Sequence, residues 1–187
     1  EHTIPTDHMY FHLPYGSKKN IPLYAPGDIY ITSIAGHKDL KTGDFTIYFA
    51  LCKDVYGYFV HVQTLSQDII DMARDIECES WSTDEFCTRM LQEKVKAGTM
   101  LGEVGGPYSV FDFGTYDYRV TLKYINPERF GLAEYKPRSL YIACPLDYYE
   151  DASEFYNKIK RTQEPRCGVV MQDIAKTLQG NWYNGDV

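Results

Sequence analysis

Five histidines are spread along the chain, and two of them, His8 and His12, stand four residues apart in His8-Met-Tyr-Phe-His12. His61 lies in the aromatic run Tyr58-Phe-Val-His61-Val62, and Asp112 lies between Phe111 and Phe113. Imidazole and carboxylate are the side chains that hold zinc with one position left open, or another divalent metal on a two-His-one-carboxylate face. An imidazole beside such a centre also carries protons near neutral pH. Spacing limits what His8 and His12 can do together. Residues at i and i+4 share one side of an extended strand, but the strand rise separates their Cα atoms by about 13 Å. Joint ligation therefore requires a bend, and neither Pro nor Gly stands between Met9 and Phe11. Each residue also has a structural reading. His8 and His12 read as surface histidines, and His61 as a buried one bonded to a backbone carbonyl. Asp112, alternating with aromatics, must face away from them into solvent or a groove, because a buried unpaired carboxylate is costly. Asp117, two residues before Arg119, reads as a structural partner.

The elements that would position these residues read as strands. Ile29-Tyr-Ile-Thr-Ser-Ile34 follows the turn Pro26-Gly27-Asp28, and Phe45-Thr-Ile-Tyr-Phe-Ala50 follows Thr42-Gly43-Asp44. Tyr56-Gly57 introduces Tyr58 to Val62, Ala97-Gly98 turns the chain into Met100 to Val104, and Tyr108 to Leu122 holds one or two more strands. From Ser66 to Lys94 the composition shifts to Asp, Glu, Met and Arg. Ser82-x-x-Glu85 there has the form of a helix start, with Phe86 and Met90 one turn apart. That region is read as a helical insertion. Asp151-x-x-Glu154 opens a short helix with Phe155 and Ile159 on its inner face, and the last residues, ending Gly180-Asn-Trp-Tyr183, read as a tail wrapped back on the body.

Composition excludes several classes. The chain has 187 residues with 44% hydrophobic, 24% charged and 15% aromatic content, which fits an ordered core and not a disordered or collagenous chain. Seventeen tyrosines against nine phenylalanines favour strands and half-wet surfaces. A formal net charge of −7 argues against nucleic acid as partner. No run approaches the roughly 18 apolar residues a bilayer span requires. Glu1 is not a start methionine and no signal peptide is recognisable, so any targeting information is expected to precede residue 1. The five cysteines form no C-x-x-C pair. Their spacing suits two loop-closing disulfides, Cys78 with Cys87 and Cys144 with Cys167, plus one leftover thiol. That pattern points to a secreted or cell-surface setting; five unpaired cysteines in a cytosolic chain is the competing reading.

Four stretches taken in order carry a resemblance. They are His8-Met-Tyr-Phe-His12 with Ile21-Pro-Leu-Tyr-Ala-Pro-Gly-Asp-Ile-Tyr-Ile31, then Tyr58-Phe-Val-His61-Val-Gln-Thr-Leu-Ser66, then Val95-Lys-Ala-Gly-Thr-Met-Leu-Gly-Glu-Val-Gly-Gly106, then Ser109-Val-Phe-Asp112-Phe-Gly114. Over about residues 8 to 118 this order resembles the lysostaphin-like (LytM-type) peptidoglycan metalloendopeptidases. There a His-x-x-x-Asp motif is followed by "pVyApadGtV", "YaHLs", "VkaGqviGtvG" and a closing His-x-His strand. The resemblance implies a zinc site with water as the open ligand. By position His8 is the first metal ligand, His12 replaces the Asp ligand, and Asp112 replaces the final His ligand. His61 takes the auxiliary catalytic place, and Val110 stands where the first His of His-x-His would be. A competing trio is His8, His61 and Asp112, which would make His61 a ligand and leave no evident general base.

The expected fold is mainly β, a lysostaphin-like antiparallel sheet or barrel-sandwich-type domain with a helical insertion and a short C-terminal helix. The β domain is expected over residues 1–145, with the insertion at about 66–94, and the helix and tail over 146–187. The expected function is metal-dependent cleavage of cell-wall peptide cross-links, with a divalent metal, zinc first, and peptidoglycan or a cell-wall peptide or glycan as partner. The alternative is a catalytically inactive module of the same fold that binds cell-wall glycan or peptide. A biotinyl- or lipoyl-like carrier shares the hairpin phrases, but the exposed Met-Lys-Met hairpin is absent.

Overall fold

The computed structural model describes residues 7–13, 19–41, 43–131 and 137–181. The chain divides into two compact units, one of Glu1–Met9 with Gly114–Val187 and the other of Tyr10–Phe113.

The Tyr10–Phe113 unit is mainly β. Its strands are the end of β1 (His8–His12), β2 (Asn20–Tyr24), β3 (Ile29–His37), β4 (Phe45–Ala50), β5 (Val55–Leu65), β6 (Phe86–Val95), β7 (Met100–Gly105) and the start of β8 (Val110–Asp117). The order is β1-β8-β5-β4-β3-β6, with β7 on β5 and β2 on β7. Neighbours with a defined register run antiparallel. The path is open, since no pairing among the described residues joins β6 to β1. Mainly β is therefore the architecture.

Alternation builds the core. Along β4, Phe45, Ile47 and Phe49 are buried while Thr46, Tyr48 and Ala50 are half-buried. Phe49 meets Phe59 at 5.2 Å between ring centroids, and Phe59 meets Phe113 at 4.7 Å. Phe11 stacks on Phe111 at 5.0 Å. The fully buried rings of Phe49 and Phe59 each contribute about 1.5–3 kcal/mol by leaving water. Tyr56-Gly57 is not the turn its composition suggests. The turn comes earlier, where Leu51 N–H donates to Val55 O (2.9 Å), and β5 already includes Gly57. Glycine is required there by packing, because a Cβ would fall 2.4 Å from Phe49 Cζ. Ala97-Gly98 does turn the chain between β6 and β7, with Gly98 at φ +78.

The helical reading of 66–94 is corrected. Helix α1 covers Gln67–Ala73, with the Ser66 hydroxyl accepting from Ile69 N–H, and ends well before Phe86. Ser82 and Thr83 begin no helix. The Ser82 hydroxyl accepts from Thr88 N–H (2.9 Å) and the Thr83 hydroxyl from Phe86 N–H (3.0 Å), at the entry to β6. Phe86 and Met90 do share a face, but a strand's, because a four-residue spacing fits period 2 as well as 3.6. The expected Cys78–Cys87 disulfide ties this loop to β6, with Cα atoms 5.3 Å apart.

In the other unit, β9 (Ile142–Ala143) pairs with the end of β8 through Thr115–Ala143 and Tyr116–Ile142. Three 3-10 turns and α2 (Ser153–Lys158) complete its regular structure among the described residues. Asp151 accepts from Ser153 N–H (2.9 Å), as its position before the helix suggests. The expected inner face is not formed: α2 has no buried residue, and Ile159 lies past its end. Cys144–Cys167 is formed as expected, with Cα atoms 6.0 Å apart. The tail is held by Asp173, whose oxygens accept from Ile125 N–H (2.9 Å) and Asn181 N–H (2.7 Å). Trp182 and Tyr183 lie outside the described residues. Asp117 is the structural partner its position suggests. It takes the Arg119 side chain in two bonds of 2.8 and 2.6 Å and the Tyr148 hydroxyl at 2.7 Å.

Candidate functional site

The site is built on β5 and β8 of the Tyr10–Phe113 unit. Alternation along β5 puts Val55, Gly57 and Phe59 on the core side, and unbroken alternation would bury His61 with them. The register changes first. Phe45 faces Val62 while Ile47 faces Phe59, so a two-residue step on β4 matches a three-residue step on β5. This is a β-bulge, and His61 sits in it at φ +64. That left-handed conformation costs a side-chain-bearing residue about 1–2 kcal/mol. The bulge returns Val62 to the core and turns His61 to the opposite face, the one Asp112 occupies between its two inward phenylalanines.

Carboxylates stand at both edges of the ring. Asp44, the residue before β4, accepts from His61 Nδ1–H, its oxygens 3.0 and 3.2 Å away. Asp112 Oδ2 lies 3.5 Å from Nε2, and its carboxylate is only 2% exposed. Tyr108, in the turn before β8 and 50% exposed, tilts its ring over the imidazole at 5.1 Å. Beyond it, the Gln63 amide donates to His61 O (3.4 Å), and Glu103 accepts from Thr64 (3.2 Å) and Asn20 (3.1 Å). The imidazole thus lies between a part-exposed Asp44, a buried Asp112 and the exposed ring of Tyr108.

Of the four residues singled out by sequence, His61 and Asp112 are therefore brought together. His12 is exposed on β1, its ring 6.2 Å from that of Tyr10. His8 belongs to the other unit, where its Nδ1 donates to Asp7 at 2.8 Å. β1 runs from His8 to His12 as a strand. Val110 is half-buried at the start of β8 and brings no titratable group.

A metal requires donors that converge on one point. The carboxylates at His61 lie on opposite edges of its ring, and no group of three His, Cys, Asp or Glu side chains suited to an ion occurs among the described residues. The donors of the Tyr10–Phe113 unit do not fit zinc. Sequence reasoning missed Asp44 and Tyr108. Both sit in turn phrases, Thr42-Gly43-Asp44 and Gly105-Gly106-Pro107-Tyr108, where turn chemistry explains Asp and aromatics carry no signal.

Comparison with protein-family models, with curated proteins and with solved structures gives no match.

Proposed function

We propose that the chain is an extracytoplasmic binding module for a cell-wall glycan, the non-catalytic of the two readings its sequence raises. The observation that carries this is the engagement of His61 from both ring edges, by Asp44 and Asp112, beneath the exposed ring of Tyr108. With a carboxylate at each edge, the ring braces this surface. The groups around it suit sugars. An exposed aromatic ring packs on the apolar face of a pyranose, and carboxylates and amides exchange hydrogen bonds with its hydroxyls. Two disulfides and the absence of a long apolar helix among the described residues are compatible with an extracytoplasmic setting.

The test is co-sedimentation with purified insoluble peptidoglycan, beside incubation of the same material with zinc, cobalt or manganese. The expected result is saturable binding that weakens about tenfold in Tyr108→Ala, with no new amino termini released. Release of amino termini dependent on added metal, or binding indifferent to Tyr108, overturns the reading.

A further inference from the structure

The unit of residues 1–9 and 114–187 holds a cleft of about 630 Å³ that the preceding function does not use. It shares Arg161, Val169 and Gln172 with a neighbouring depression of about 360 Å³ lined by the tail. The two therefore adjoin along one groove wall, and each is of the size that small ligands fill.

Its charged groups are unevenly committed. Asp147 accepts from the Tyr156 hydroxyl (2.8 Å), and burial, with that carboxylate, pushes the hydroxyl's pKa up to about 12, so it stays a donor. Glu164 accepts from Arg166 N–H (3.0 Å), Asp173 holds two backbone N–H groups, and Asp7 takes His8 and the Tyr116 hydroxyl. Arg166 donates to two backbone carbonyls, those of Arg161 and Tyr156. Arg161 differs. Its Nε donates to Pro165 O (3.0 Å), and its two Nη groups have no partner among the described residues. Among the cationic side chains of this groove, Arg161 is thus the one whose guanidinium fork is left open. A fork of that shape matches a carboxylate in two parallel hydrogen bonds. Val169, Val170, Ile142 and Leu122 supply apolar wall, but polar groups are interspersed along it. That mixture suits the alternating amides and side chains of a peptide and not an unbroken alkyl chain.

We propose that this groove binds the C-terminal end of a short peptide with small apolar side chains, its carboxylate held by Arg161. The proposal is independent of the glycan reading, which concerns the other unit.

Calorimetric titration of the full chain with N-acetyl-Ala-Val-Val as free acid, as C-terminal amide, and with octanoate tests it. The free acid is expected to bind, the amide at least about tenfold more weakly, and octanoate no better than the amide. Arg161→Gln is expected to abolish the preference for the free acid, and Arg161→Lys to retain part of it. Val169→Asp is expected to weaken binding through repulsion, each variant being checked for an unchanged melting temperature. Equal binding of acid and amide, an Arg161→Gln protein that still discriminates, octanoate binding as tightly as the peptide, or no peptide binding at millimolar concentration overturns the proposal.

Discussion

His61 combines two opposing contributions. Its left-handed backbone is strained, while its ring answers a carboxylate that is 2% exposed. Removing the ring leaves Asp112 without that neighbour, at a cost of about 1–3 kcal/mol. His61→Ala should therefore lower the urea midpoint. His61→Gly should lower it less, by about 1 kcal/mol, because glycine adopts this φ without steric penalty. Equal midpoints for the two variants would show that the bulge relaxes when the ring is lost. Asp117 sets a different residue-scale expectation. Hydrogen bonds from Arg119, then from Tyr148, outweigh burial and hold its carboxyl well below the usual carboxylate range. A depressed folded pKa contributes stability that is present above the unfolded value near pH 4 and lost as pH falls toward the folded one. The Arg119 guanidinium is more than half exposed, so solvent screens the pair and keeps the contribution small. Asp117→Asn should lose that stability at pH 7 and show a flatter decline below pH 4, measured by urea unfolding across pH.

Among elements, the β4–β5 pair positions the site. Gly57→Ala would drive a methyl into the Phe49 ring, and overpacking of this kind costs about 1–3 kcal/mol. Since the same strand carries the bulge, this substitution should weaken the proposed glycan binding together with stability. Unchanged binding in a destabilised protein would separate the core from the site. The β6 entry depends on a covalent tie. The Cys78–Cys87 bridge spans nine residues, and replacing both cysteines by alanine should cost about 2–3 kcal/mol, read as a lowered melting temperature. The Ser82-to-Glu85 phrase suits a helix start and a strand entry alike. Ser and Thr hydroxyls cap whichever backbone N–H groups are unpaired, at a strand entry as readily as at a helix start.

For the whole molecule, cysteine chemistry gives the most direct check. The structure pairs four of the five cysteines and leaves Cys52 exposed. Alkylation of the unreduced chain should therefore add one label, at Cys52, with the other four labelled only after reduction and denaturation. Mass spectrometry reads both states. More than one label before reduction would remove the disulfide argument for an oxidising compartment.

Much of the strand framework was legible in the sequence because its signals are local. Phe45 to Ala50 alternates, Ala97-Gly98 supplies a turn, and the cysteine spacings match loops that a bridge can close. The pairing of His61 with Asp112 was within reach only as a grouping of candidates, since what directs the imidazole to that face is a single extra residue in β5. Asp44 and Tyr108 left no trace that turn chemistry did not already explain. Local periodicity and turn preference reside in the chain's own neighbours and can be read there. A bulge, and the carboxylates it gathers, arise from register between strands distant in sequence, so only the tertiary structure decides them.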